Sequence, residues 1–126
     1  MLKRAANIVG AVFVAVGILG FIDAIAPADA EGNALLLGIF AVNPMHNTVH
    51  LLSGILALFV GLRSEEASML YFRGLGLIYA LVAVAGLFVG HGTLLGMAHN
   101  PADLVLHALI ASGALYLGFA PLRRVA

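Results

Sequence analysis

Four long apolar runs, parted by short polar breaks, organise this chain. They cover residues 5–26, closed by Pro27; 44–62, closed by Arg63-Ser64-Glu65-Glu66; about 69–90; and 101 to about 120, closed by Pro121 and Arg123-Arg124. A membrane-crossing helix needs about 20 mostly apolar residues, so each run is long enough for one span. The expected fold is all-α: a polytopic membrane protein with a single four-transmembrane-helix domain, built as two repeated helical hairpins over about 1–63 and 64–126. The first run also has the outline of a signal peptide, with Lys3-Arg4 before it and Ala28-Asp29-Ala30 behind. It exceeds the about 7–15 residues of an ordinary signal core, and a retained helix is the expectation. Two further apolar stretches, 34–42 and 93–98, are too short to span. They are expected either to form re-entrant or interfacial lids or to lie as hydrophobic loops in the headgroups.

Composition strengthens the membrane reading. The chain is 63% hydrophobic and 10% charged, with a mean hydropathy of +1.10. An ordinary soluble domain is about 45–50% apolar and about 25% charged. The formal net charge is zero, so no overall field draws nucleic acid, and none is expected as a partner. Cysteine is absent, which excludes disulfides, iron–sulfur clusters and thiolate zinc sites. Glycines spaced by seven, Gly10/Gly17 and Gly54/Gly61, line one face of a helix each and favour close helix packing.

The basic residues set an expected orientation. Lys3 and Arg4 precede the first run, Arg63 and Arg73 flank the second connection, and Arg123 and Arg124 follow the last. The other two connections hold Asp23, Asp29, Glu31, His91 and His99 instead. Lys and Arg favour the cytoplasmic side, so both termini are expected in the cytoplasm.

One motif occurs twice. Asn43-Pro44-Met45-His46-Asn47-Thr48-Val49-His50 is matched by Asn100-Pro101-Ala102-Asp103-Leu104-Val105-Leu106-His107, and each opens an apolar run. Asn is a favoured N-cap and Pro a favoured first helical residue, so Asn43, Pro44, Asn100 and Pro101 read as caps. The i,i+4 spacing stacks His46 over His50 and Asp103 over His107. At about 1.5 Å of rise per residue, His50 and His107 sit about 9 Å inside the helix start. Ionisable groups at that depth face the bundle interior and signal a structural or functional demand.

If helices two and four face each other, His46, His50, Asp103 and His107 converge, with Asn47, His91 and His99 as supporting polar groups. Three His and one Asp suit zinc or copper, and facing helices are where bundles build such sites. Ligation of a haem or pigment is a weaker expectation. The competing reading is a polar network that only docks the two halves together. Thr48, Ser53 and Ser112 form no nucleophile–base arrangement, and no phosphate loop or metalloprotease motif is present. No enzyme is expected. A structural or accessory role in a homo-oligomer or larger membrane complex leads, with metal or cofactor binding as the alternative.

The string Val42-Asn43-Pro44-Met45-His46-Asn47-Thr48-Val49-His50-Leu51-Leu52-Ser53-Gly54 resembles the signature of a bacterial four-helix membrane family catalogued as a domain of unknown function. Gly17-Ile18-Leu19-Gly20-Phe21 and the segment from Asp103 to His107 are similar to its pattern too. The resemblance implies a four-span fold in the bacterial cytoplasmic membrane and no activity.

Overall fold

The computed structural model describes residues 1–120. Pro121, Arg123 and Arg124, which the sequence reading used to end the last helix and to orient the chain, lie outside the described residues. The element order is α1 (Leu2–Leu19), β1 (Ala34–Leu36), β2 (Phe40–Val42), α2 (Pro44–Arg63), α3 (Glu65–Val89), β3 (Gly92–Leu94), β4 (Met97–His99) and α4 (Pro101–Phe119). All four helices are long and apolar enough to cross a bilayer. Large apolar side chains stand exposed along them, Leu81 at 71% and Phe88 at 87% among them. Surface of that kind is at rest in hydrocarbon and costly in water.

Helix α1 packs mainly on α2, and α3 mainly on α4. Glycine sets the α1–α2 separation: a methyl group on Gly10 would lie 2.8 Å from the Gly54 carbonyl oxygen, too close for any side chain. Down the middle runs an apolar core that includes Leu2, Phe13, Val60, Phe72, Leu75 and Tyr79. At one end, α2 and α3 are joined by Ser64 alone, whose hydroxyl accepts from Ala67 N–H and starts α3 at Glu65. This is four residues before the start expected from hydropathy. Glu65 and Glu66 belong to the first turn, where carboxylates are favoured by the positive helix end. Glu65 also accepts from the Met1 ammonium at 2.6 Å and from Leu2 N–H at 2.7 Å, so it satisfies donors at the open start of α1.

At the opposite end the structure departs most from the sequence reading. Helix α1 stops at Leu19, not near residue 26. Tight bonds from Phe21 N–H to Ile18 O and from Ile22 N–H to Leu19 O close it. The chain then turns so that Ile25 and Ala26 pack under the first hairpin, with Leu36 and Val42. Both short apolar stretches form antiparallel β-hairpins, paired Ala34 to Val42 and Gly92 to His99. Each turns through a Leu-Gly pair with positive φ, Leu37-Gly38 and Leu95-Gly96. Pairing their own backbone groups lets these segments cap the bundle with few free N–H and C=O groups.

Candidate metal centre

The two Asn-Pro sequences start α2 and α4 at the hairpin end. Asn43 Oδ1 accepts from His46 N–H at 2.9 Å, and Asn100 Oδ1 accepts from Asp103 N–H at 3.0 Å. Asp103 Oδ2 returns the favour by accepting from Asn100 N–H at 2.9 Å, completing a capping box. The same side chains reach across the molecule. Asn43 Nδ2 donates to Gly96 O and Asn100 Nδ2 to Ile39 O. His46 Nδ1 donates to Ala98 O at 2.8 Å, while Asp103 Oδ2 accepts from Ala41 N–H at 3.1 Å. Each motif thus grips the hairpin that precedes the other motif. The partners 39 and 96, 41 and 98, 43 and 100, and 46 and 103 all differ by 57, so the two grips occupy matching positions.

One turn further in, the imidazoles meet. One ring nitrogen from each of His46, His50 and His107 lies within 4.8 Å of those of the other two, and all three side chains are buried. Ring centroids are 4.6 Å apart for His46 and His50 and 5.8 Å for His46 and His107. Phe13 of α1 packs on His50 at 5.6 Å, and Tyr79 of α3 meets His107 edge-on at 5.3 Å. The two outer helices therefore wall the histidines from lipid. His99 extends the group from β4, its ring 6.0 Å from that of His107.

Hydrogen bonding divides these residues sharply. The Ala98 carbonyl can only accept, so His46 carries its proton on Nδ1 and leaves Nε2 as a lone pair. Metal-binding histidines are commonly held in this way, the far N–H on a backbone carbonyl. His50 Nδ1 and His107 Nδ1 are fully buried and have no hydrogen-bond partner among the described residues. Each such orphan costs about 1–3 kcal/mol. The set fits a transition ion in type and approximate geometry. Nitrogens bound to zinc at about 2.0–2.1 Å sit roughly 3.3 Å apart in a tetrahedron, so small ring movements would close a spread of 4.8 Å.

The remaining residues singled out in the sequence fall elsewhere. Asp103 is buried but stands outside the three-histidine group, its Oδ2 held by two backbone N–H groups. Asn47 is buried with its side chain pressed against Gly20, and its Oδ1 is unpartnered among the described residues. His91 is exposed. Sequence reasoning passed over Phe13 and Tyr79, whose only signal was an aromatic ring midway along an apolar run. It expected lids or loops over 34–42 and 93–98 and missed their β-pairing, although each stretch carries a Leu-Gly pair, Leu37-Gly38 and Leu95-Gly96.

Comparison with known proteins adds a family and no activity. The family model for DUF4383, described as a domain of unknown function, matches residues 3–120. No curated protein matches the chain, and no solved structure does.

Proposed function

The chain belongs to the DUF4383 family, whose function is unknown, and we propose that it is a small bacterial inner-membrane protein that holds a zinc or copper ion on His46, His50 and His107. The observation behind this reading is the pair of buried, unpartnered nitrogens on His50 and His107, beside a His46 already oriented by Ala98. A docking network accounts for Asn43, Asn100, His46 and Asp103, because each of them bonds to the opposite hairpin. It leaves His50 and His107 without a purpose. A metal ion gives all three imidazoles a partner, and burial by Phe13 and Tyr79 keeps water from competing. Asp103 serves as cap and as nearby negative charge, not as a ligand.

The basic residues Lys3, Arg4 and Arg63 lie at the end away from the hairpins, so this reading has the centre facing outward and both termini in the cytoplasm. The role is binding without catalysis, as an accessory component of a homo-oligomer or larger membrane complex. We also read the chain as two copies of one helix–hairpin–helix unit. The matched grips 57 positions apart support this.

Protein purified in mild detergent and assayed for metal is expected to carry about one zinc or copper ion per chain, as one three-imidazole centre holds. His50→Ala and His107→Ala are each expected to abolish it. Binding is also expected to be lost in acid, because protonated rings cannot ligate. Wild-type protein that takes up no stoichiometric metal, even when ions are supplied, ends the proposal.

A further inference from the structure

The three-histidine group brings no charge of its own to an ion. Ligating imidazoles are neutral, and the chain has no cysteine whose thiolate could offset a divalent cation. Of its six carboxylates, Asp23, Asp29, Glu31, Glu65 and Glu66 are exposed, and Asp103 alone is buried, at 2% exposure. Asp103 lies one helical turn from His107 on the same face of α4. Its Oδ2 accepts from the backbone N–H groups of Ala41 and Asn100, an arrangement that suits an ionised carboxylate. It therefore stands beside the imidazoles as a counter-charge without joining them as a ligand. Arg73 donates to Gly118 O, at the other end of α4 from Asp103, and adds no positive charge here.

Charge and coordination number then favour the same kind of ion. The cost of burying an ion grows as the square of its charge, so a doubly charged ion depends far more on compensation than a singly charged one. With Asp103 as counter-charge, a monovalent ion leaves the buried group neutral. A divalent ion leaves one positive charge uncompensated. Zinc, moreover, is almost always four-coordinate. The group offers three nitrogens, with Phe13 and Tyr79 packed against the rings of His50 and His107. Copper accepts imidazole, and its monovalent form settles for fewer ligands than zinc.

Resting on the three-histidine reading, we propose that the centre selects the cuprous ion, Cu⁺, over divalent ions, with Asp103 supplying the compensating charge. The ion binds as Cu⁺: no electron is transferred, and neutral imidazoles release no proton.

The test titrates full-length protein in detergent micelles, without oxygen, with Cu⁺ and separately with Zn²⁺, each against a chromogenic chelator of known affinity. Wild type is expected to bind one Cu⁺ per chain, more tightly than Zn²⁺ by on the order of a hundred- to a thousandfold, the effect of one uncompensated buried charge. His107→Glu keeps a ligand at that position and adds the negative charge that a divalent ion lacks. The preference for Cu⁺ is expected to shrink in it on the order of tenfold or more. Zn²⁺ held as tightly as Cu⁺ by wild type overturns the selection and leaves the three-histidine centre standing. Binding of neither ion overturns the centre, and the selection with it. Cu⁺ held at wild-type strength by His50→Ala places the ion elsewhere and overturns the proposal too. An unchanged preference in folded His107→Glu overturns selection by charge; if that variant does not fold, the wild-type comparison decides alone.

Discussion

At the level of single residues, the repeated motif does two different jobs with adjacent side chains. The outer members, Asn43, Asn100, His46 and Asp103, are committed to hydrogen bonds that start a helix and hold the opposite hairpin. The inner members, His50 and His107, have no such bonds on Nδ1. Asn100 is the more heavily used of the two caps, since its bond to Ile39 is partly buried and that from Asn43 to Gly96 is exposed. Asn100→Ala is therefore expected to destabilise the protein by about 1–3 kcal/mol, combining a lost cap with a lost partly buried bond. Asn43→Ala is expected to cost less. Unfolding in detergent monitored by circular dichroism checks the order; a harmless Asn100→Ala would mean that the cross-grip does not hold the seam.

The hairpins are the elements that turn four helices into a closed structure. Each covers the end of the bundle and places its backbone where the other half's motif can bond to it. Their turns are chemically unfavourable in one respect. Leu37 and Leu95 both take positive φ, 55° and 52°, a region that side chains with a Cβ avoid and that Asn and Gly tolerate. Leu95 is also 81% exposed, so its side chain gains little from packing. In a two-residue hairpin turn whose second residue is a glycine, here Gly96, Asn is favoured at the first. Leu95→Asn is expected to raise stability by a few tenths to about 1 kcal/mol, read as a higher thermal midpoint. A lower midpoint would show that Leu95 contacts lipid or a partner more profitably than its backbone strain costs.

For the molecule as a whole, the central question is which way the bundle faces. Among the described residues the basic side chains gather at the end opposite the hairpins, except that Arg73 lies further along α3, where its Nε donates to Gly118 O near the end of α4. Single cysteines placed in this cysteine-free chain test the proposed orientation, with both termini in the cytoplasm. Cysteine at exposed Leu95 or His91 is expected to react with a membrane-impermeant thiol reagent in intact cells. Cysteine at Arg4 is expected to react only after lysis. The reverse result inverts the topology and places the histidines at the cytoplasmic side.

The fold was legible in the sequence to the degree that one-dimensional signals suffice. Apolar runs of spanning length, Asn-Pro at two helix starts, and polar residues confined to breaks fix four membrane helices, because burial in hydrocarbon tests each helix separately. The i,i+4 spacing likewise put His46 with His50 on one face. Tertiary structure decided the rest. Only the docking of the α1–α2 pair on the α3–α4 pair brought His107 to His46 and His50, while Asp103 turned away to two backbone N–H groups. Only the hairpins, stabilised by pairing across the chain, ended α1 at Leu19 and lowered His99 beside the cluster. Distances between separate elements depend on which surfaces pack, and no periodicity along a single chain encodes that.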